Sequence, residues 1–200
     1  MEQFNQTLFM LLNAGPEPSF VALYGTIFLA KWLVLLFPLL LASMWLWGLS
    51  YHRELAVRAL LAILLGLLIS HWLRWWWPHP RPFVVGLGHT HLLHAPDASF
   101  PSNHAVFCFA MALSLWWQVV RKQVGWVLLG LSLLVCWARV YLGVHFPLDM
   151  AGGLLVAWLA VWTVNRLLRI NRWGDRLVVA LENRYRRLMA KPIARGWVAE

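Results

Sequence analysis

The stretch WVLLGLSLLVCWARVYLGVHFPLDMAGGLLVAWLAVWTV, residues 126–164, consists of two apolar runs with Arg139, His145 and Asp149 between them. Each run has about the length that an α-helix needs to cross roughly 30 Å of hydrocarbon. Pro147 lies where the second run begins, a position in the first helical turn that proline tolerates well. The stretch therefore predicts two membrane spans joined by a short turn that carries three ionisable side chains.

The rest of the chain is as apolar as this stretch. Of its 200 residues 61% are hydrophobic and only 12% are charged, and 15 are tryptophan, which is enriched where membranes meet water. A soluble domain of this length needs more polar surface to cover its core. The composition thus excludes a soluble protein and predicts an integral membrane protein. Cys108 and Cys136 lie inside apolar runs and are expected to be buried thiols, not a disulfide.

Five apolar runs are long enough to cross a membrane. They lie near Phe20–Trp47, Ala56–Leu73, His104–Val120, Trp126–Leu142 and Pro147–Val164. Phe4–Leu12 is too short and is predicted to lie in the interface, with a sixth span as the alternative. The predicted fold is a single all-α integral membrane domain with a bundle of five to six transmembrane helices. We divide it into an N-terminal segment (1–19), the transmembrane bundle (20–165) and a basic tail (166–200).

The basic residues predict how this bundle is oriented. With the N-terminus outside, 13 of the 17 lysines and arginines fall in the cytoplasmic loops and tail, as the positive-inside rule requires. The exceptions are Lys31, Arg74, Arg81 and Arg139. Three of these four lie at the outer ends of spans, whereas Lys31 either reaches the outer interface or supports a site. The tail is predicted to rest on anionic lipid headgroups, and nucleic-acid binding is not expected.

Three polar segments meet on the outer side of the predicted bundle. They are RWWWPHPRPF (74–83), FPSNHA (100–105) and RVYLGVHFPLDM (139–150). Their arginines offer planar guanidinium groups that can bind phosphoryl oxygens in pairs. The segments therefore predict a polyanion site at the outer face, and phosphate is the candidate ligand.

The second and third segments supply further groups for phosphate. Ser102 has the side chain of a helix N-cap, so the amides of Asn103 and His104 would point outward from the helix start. Asp149, one helical turn after His145, can bind one imidazole nitrogen and leave the other free to attack. His145 is then the nucleophile, Asp149 orients it, and His104 is the general acid and base. This chemistry needs no metal or other cofactor.

These residues resemble the type-2 phosphatidic acid phosphatase superfamily of membrane lipid phosphatases. Its three motifs are Lys-x6-Arg-Pro, Pro-Ser-Gly-His and Ser-Arg-x5-His-x3-Asp, which here read RWWWPHPRP, PSNH and ARVYLGVHFPLD. More narrowly, FPSNH, RVYLGVHFPLDM and the ending GWVAE are similar to the bacitracin-resistance type of undecaprenyl-diphosphatase. The resemblance runs over most of the chain. This chain departs from the motifs at Arg74 (lysine), Asn103 (glycine) and Ala138 (serine).

The resemblance implies a phosphohistidine on His145, with His104 as acid and Asp149 as its partner, in a six-helix bundle. It also implies hydrolysis of undecaprenyl diphosphate to undecaprenyl phosphate and phosphate at the periplasmic face of a bacterial inner membrane. That reaction recycles the lipid carrier of cell-wall synthesis and gives bacitracin resistance. A polyprenyl diphosphate is therefore the expected partner, and the oligomeric state stays open.

Two other functions remain as alternatives. The same chemistry could serve a phosphatase or phosphotransferase for another lipid phosphate, such as phosphatidylglycerophosphate or phosphatidate. The outer-loop histidines could instead make the protein a metal-binding protein or transporter. These histidines are His79, His89, His91 and His94. They are predicted to be polar loop residues without a metal site, because no carboxylate or thiolate is spaced to complete one.

Overall fold

The structure, a computed structural model, describes residues 1–118, 122–171 and 173–199. Within these ranges the regular structure is helical, and a single 3-10 turn at Leu33–Leu35 accompanies the α-helices. The helices are α1 (Glu2–Leu12), α2 (Phe20–Lys31), α3 (Leu36–Leu46), α4 (Ser50–Trp76), α5 (Asn103–Gln118), α6 (Lys122–Tyr141), α7 (Pro147–Asn171), α8 (Trp173–Leu188) and α9 (Ala190–Ala194).

Among the residues that the structure describes, four helical segments are long and apolar enough to cross a membrane. They are Phe20–Leu46, Ser50–Trp76, Lys122–Tyr141 and Pro147–Arg169. The first consists of α2 and α3 with the 3-10 turn between them. These segments confirm the all-α membrane bundle and four of the five predicted spans. The fifth, α5, has 16 described residues, which extend about 24 Å at 1.5 Å per residue. Residues 119–121, at the predicted end of that span, lie outside the described ranges.

Helix α5 lies at the centre of the bundle, in contact with α4, α6 and α7. Ala110, Met111 and Ala112 on this helix are fully buried. Helix α7 approaches it closely at Gly153, where an added Cβ would overlap the side chain of Ala105. A larger residue at that position would push α7 away from the start of α5. The close approach brings the PSNH segment and the beginning of α7 together at one end of the bundle, which we call the site end.

Helix α1 packs against the site end of α6 and α7. Its 11 residues extend about 16 Å, too short to cross a membrane. Phe9 is fully buried, with its ring centroid 5.3 Å from that of Phe146. The Asn5 side-chain oxygen accepts a hydrogen bond from the backbone N–H of Leu148 (3.1 Å). Helix α1 therefore supports the first turn of α7, a contact that its sequence alone does not predict.

The basic tail packs at the opposite end of the bundle. Arg53, in the first turn of α4, is fully buried and donates to the carbonyls of Trp45 (3.0 Å) and Ala199 (2.9 Å). The Trp47 indole donates to the carbonyl of Trp197 (2.9 Å). These contacts tie the last described residues to the connection between α3 and α4. The tail is thus separated from the site end by the length of the bundle.

Candidate active site

The turn between α6 and α7 determines where the nucleophile candidate lies. Gly143 has φ = +78°, a left-handed conformation that a side chain disfavours, and an added Cβ would meet the carbonyl of His89. The next N–H, that of Val144, donates to the carbonyl of Arg139 (3.1 Å) and closes the turn. Arg139 therefore lies in the last turn of α6, and His145 comes just before α7.

His145 and Asp149 form the predicted pair. The Nδ1 atom of His145 lies 3.1 Å from Oδ2 of Asp149, and both residues are almost completely buried, with 2% and 1% of their surface exposed. The same carboxylate oxygen accepts the backbone N–H of Phe146 (2.8 Å) and the hydroxyl of Ser99. These partners assign the proton of the neutral imidazole to Nδ1 and the lone pair to Nε2, the nitrogen proposed to attack.

Arg81 contacts the other nitrogen of the His145 imidazole. Its Nη1 lies 3.1 Å from Nε2 of His145 and donates to the carbonyl of Val144 (2.8 Å). Its Nε donates to Oδ1 of Asp97 (2.9 Å), and only 2% of the residue is exposed. The second arginine of the RWWWPHPRP motif is thus in contact with the nucleophile candidate, as a phosphate-binding role requires.

Arg139 and His104 form a second pair beside the first. The Nη1 atom of Arg139 lies 3.3 Å from Nε2 of His104. Arg139 is 3% exposed, whereas His104 is only partly buried. Because a guanidinium group can only donate, Nε2 of His104 carries no proton and accepts from Arg139 through its lone pair. The predicted acid–base histidine therefore has the tautomer of a base and access to solvent.

The PSNH segment begins α5 as predicted, with one difference. Ser102 immediately precedes the helix, and its carbonyl accepts the N–H of Val106 (3.0 Å). Its buried hydroxyl does not cap the helix and has no hydrogen-bond partner among the described residues. The side-chain oxygen of Asn103 accepts the hydroxyl of Ser70 on α4 (2.7 Å). Asn103 can therefore reach a phosphate through its backbone N–H, but its side chain is engaged elsewhere.

Burial and charge determine the protonation state of the nucleophile candidate. Burial, together with the positive charges of Arg139 and Arg81, lowers the pKa of His145 well below its usual value. The imidazole is therefore neutral at neutral pH and stays neutral under mildly acidic conditions. Burial also lowers the pKa of Arg81, an effect that the nearby carboxylate of Asp97 opposes. Arg81 remains charged because the pKa of an arginine is so high.

Two residues that contact the predicted site residues are not singled out by the sequence, Asp97 and Ser99. Asp97 pairs with both arginines of the first motif, through Arg74 Nη2 on one oxygen and Arg81 on the other. Ser99 is fully buried and donates its hydroxyl to Asp149. The sequence does contain a feature that distinguishes Asp97, because Asp97 and Asp149 are the two acidic residues between positions 55 and 174. A serine in a polar loop offers no comparable signal.

The remaining residues singled out in the sequence lie as follows. Ala138 is fully buried in an apolar cluster that includes Ala30 and Leu92, so its methyl group packs among hydrocarbon side chains. Lys31 is the last residue of α2 and is exposed. Cys108 and Cys136 are free buried thiols, as predicted.

The outer-loop histidines have separate surroundings. His79 lies 3.4 Å from a carboxylate oxygen of Glu2, and His91 contacts the carbonyl of Gly15 (2.9 Å). The ring centroid of His94 lies 6.1 Å from that of His145. In the ranges that the structure covers, no three His, Cys, Asp or Glu side chains are grouped to hold a metal ion.

One curated relative resembles the chain over its full length, and another over about two thirds of it. YbjG of Escherichia coli K12, named provisionally as an undecaprenyl-diphosphatase, is 39% identical over 202 residues, and the match covers 100% of both chains. The undecaprenyl-diphosphatase BcrC of Bacillus subtilis 168 is 32% identical over 131 residues, which are 66% of this chain and 67% of BcrC.

Solved structures share the fold. Aquifex aeolicus LpxE superimposes with a TM-score of 0.68 at 24% identity, covering 82% of this chain and 95% of LpxE. The PAP2-type phosphatidylglycerolphosphate phosphatase of B. subtilis gives a TM-score of 0.58 at 23% identity and 85% coverage of each chain. Residues 55–173, which carry all three motifs, match the PAP2 superfamily. Motifs, helical arrangement and relatives agree, and the chain belongs to the PAP2 superfamily of membrane phosphatases.

Proposed function

We propose that this protein hydrolyses undecaprenyl diphosphate to undecaprenyl phosphate and inorganic phosphate. Relatives at 39% and 32% identity are named as undecaprenyl-diphosphatases, which supports the substrate. The observation that carries the reaction is the buried imidazole of His145, with Asp149 on one nitrogen and Arg81 on the other. A neutral imidazole oriented in this way is a nucleophile suited to phosphorus.

In the first step Nε2 of His145 attacks the terminal phosphorus. A nitrogen–phosphorus bond forms, and the bond from that phosphorus to the bridging oxygen breaks. The Nδ1 proton stays in place, and Asp149 stabilises the positive charge that develops on the ring. The bridging oxygen leaves as part of undecaprenyl phosphate, whose phosphate group carries the negative charge, so this step needs no proton from the neutral His104. Arg81 and Arg139 stabilise the charge of the transferred group.

In the second step water attacks the phosphohistidine. The lone pair of His104 Nε2 accepts a proton from this water, the nitrogen–phosphorus bond breaks, and inorganic phosphate leaves. His145 regains its neutral form, and His104 passes the proton on to the departing phosphate or to solvent. The chain's own side chains account for each proton and bond, so the proposed reaction is independent of a metal ion.

Two buried polar atoms support a phosphate position between the two histidines. The Ser102 hydroxyl and the Nε atom of Arg139 have no hydrogen-bond partner in the described parts of the chain. Buried polar groups are rarely left in this way, and phosphoryl oxygens would satisfy both. Arg74, Arg81 and the backbone N–H of Asn103 complete the proposed phosphate-binding set.

A panel of lipid phosphates tests the substrate. Purified protein in detergent with EDTA should release phosphate from undecaprenyl diphosphate with a higher kcat/KM than from phosphatidylglycerophosphate or phosphatidate. We expect a difference of at least about tenfold, because the relatives that carry the proposal are named for that lipid. A preference for a glycerolipid would replace the proposed substrate, and loss of activity in EDTA would contradict the metal-independent mechanism.

We further propose that the protein is an inner-membrane protein with the site end facing the periplasm and the C-terminus in the cytoplasm. The contacts of Arg53 with the tail put many basic residues at the end away from the site, and basic segments favour the cytoplasmic side. This orientation puts the arginines of α8 beside the anionic lipids of the cytoplasmic leaflet.

Single cysteines at the two ends test this orientation. Leu93 lies fully exposed in the site-end loop, and Leu188 is exposed on α8, whereas both native cysteines are buried. In spheroplasts a membrane-impermeant maleimide should label Leu93→Cys and leave Leu188→Cys unlabelled until the membrane is permeabilised. The opposite labelling pattern would reverse the proposed topology.

A further inference from the structure

Asp97 binds the same two guanidinium groups that are proposed to bind phosphate. Its Oδ1 accepts a hydrogen bond from Nε of Arg81 (2.9 Å) and forms an ion pair with Nη2 of the same arginine (2.9 Å), and its Oδ2 accepts from Nη2 of Arg74. The paired Nε and Nη2 donors of an arginine are the edge that binds two oxygens of a phosphate or carboxylate. A carboxylate and a phosphate therefore compete for these donors.

The other donors of Arg81 are engaged with groups that cannot easily move away. Its Nη1 bonds the backbone carbonyl of Val144 (2.8 Å) and contacts the ring of His145. Its Nη2 also lies 3.5 Å from the carbonyl of Ala98. Val144 is fully buried within the α6–α7 turn. Among the partners of Arg81, Asp97 is thus the side chain that can yield to another anion.

The position of Asp97 suits such an exchange. Its side chain is 47% exposed, on the loop between α4 and α5, whereas Arg81 is buried. Burial opposes the ionisation of Asp97, but the charges of and hydrogen bonds from Arg81 and Arg74 outweigh it and lower its pKa. The side chain of Asp97 is therefore a carboxylate at neutral pH. When another anion takes its place at the arginines, the carboxylate can rotate away from them into the solvent.

We propose that Asp97 competes with phosphate for Arg74 and Arg81 and thereby weakens the binding of the inorganic phosphate product. The inference rests on the proposed function, because orthophosphate is the product only if a phosphate ester or anhydride is hydrolysed. Three arginines around a buried imidazole would otherwise hold a multiply charged anion tightly. Asp97 then determines the affinity of the site for phosphate and does not take part in forming or breaking the bonds to phosphorus.

Orthophosphate inhibition provides the first test. Asp97→Asn removes the charge with little change in shape, and the orthophosphate concentration that halves activity should fall about tenfold, as expected when one charge-assisted hydrogen-bonding competitor is lost. The KM for the lipid diphosphate should fall with it. Asp97→Glu keeps the charge and should remain close to the parent. Glu54→Gln is the control, because it removes a carboxylate that pairs with Arg58 on α4, away from the site. It should change neither the inhibition by orthophosphate nor the KM for the lipid diphosphate.

Calorimetric titration with orthophosphate provides a second test that needs no turnover. The His145→Ala protein and the His145→Ala, Asp97→Asn double variant are compared, and the double variant should bind about tenfold more tightly. Equal or weaker binding by the double variant overturns the proposal, since Asp97 would then position the arginines for phosphate. A parent that fails to hydrolyse any lipid phosphate would overturn the proposed function alone, because this titration still measures the competition.

Discussion

Replacing His145 by alanine is expected to lower kcat/KM for undecaprenyl diphosphate by about 10⁴-fold or more. The variant loses the atom that forms the bond to phosphorus, so neither of the two steps can proceed by the proposed route. Arg81, Arg139 and Ser102 remain, and the affinity for a phosphate ligand should change far less than the rate. The loss is therefore expected in kcat.

The decisive measurement is the phosphoenzyme. Substrate labelled with ³²P at the terminal phosphate should transfer label to the parent protein, and the label should survive alkali and be lost in acid, as a phosphoramidate is. His145→Ala should carry no label. His71→Ala changes an exposed histidine of α4 and is the matched control, with activity expected to match the parent. A folded His145→Ala protein that still turns over would remove His145 from the role of nucleophile.

Replacing His104 by glutamine is expected to affect the two steps unequally. The leaving group from a lipid diphosphate is a phosphate monoester with a second pKa of about 6, so it departs with little help from an acid. Hydrolysis of the phosphohistidine, by contrast, needs a base to take a proton from water, a contribution of roughly 10²- to 10⁴-fold. Steady-state turnover should fall by about that factor while the phosphoenzyme still forms.

With ³²P-labelled diphosphate, His104→Gln should therefore accumulate phosphoenzyme to nearly one phosphate per protein. Quenching the reaction rapidly in alkali preserves the phosphohistidine, so that the bound label can be counted. A phosphate monoester of an alcohol supplies the contrast, because its leaving group would be an alkoxide, which is far more basic than a phosphate and does need an acid. With such a substrate His104→Gln should lose phosphoenzyme formation as well. If the variant accumulates no label from the diphosphate either, His104 acts mainly in the first step.

The sequence predicted the parts of this molecule that depend on short-range pattern. Apolar runs of membrane length predicted the spans, and the i to i+4 spacing of His145 and Asp149 predicted a contact that one helical turn allows. The structure brings Arg81, Arg139, His104 and Ser102 together at the site end, and their roles there stay predictions. What could not be predicted depends on contacts between distant segments. The hydroxyl of Ser99 reaches Asp149 across 50 positions of sequence, and no local pattern specifies that pairing.

The same limit applies to the charges. The sequence predicts that Arg74 and Arg81 bind phosphate. In the structure both contact Asp97, which lies 23 positions after Arg74 and 16 positions after Arg81. Composition showed that acidic residues are scarce in this part of the chain, but the path of the loop decides which arginines the carboxylate reaches. The contacts of helix α1 with α6 and α7 are likewise invisible in its own sequence, which predicts an interfacial segment.

Helix α1 bears on how chimeras between relatives would behave. The stretch that defines the family begins at residue 55, after α1, α2 and α3. Yet Asn5 holds the N–H of Leu148 and Phe9 packs on Phe146, on either side of Pro147. Consider a hybrid that joins the first 54 residues of one family member to the remainder of another. Every motif would stay intact, but helix α1 of one protein would pack against the turn that carries His145 in the other. The fit between the two parts of such a hybrid therefore determines how well the turn that carries the proposed nucleophile is supported, although α1 lies far from that turn in sequence.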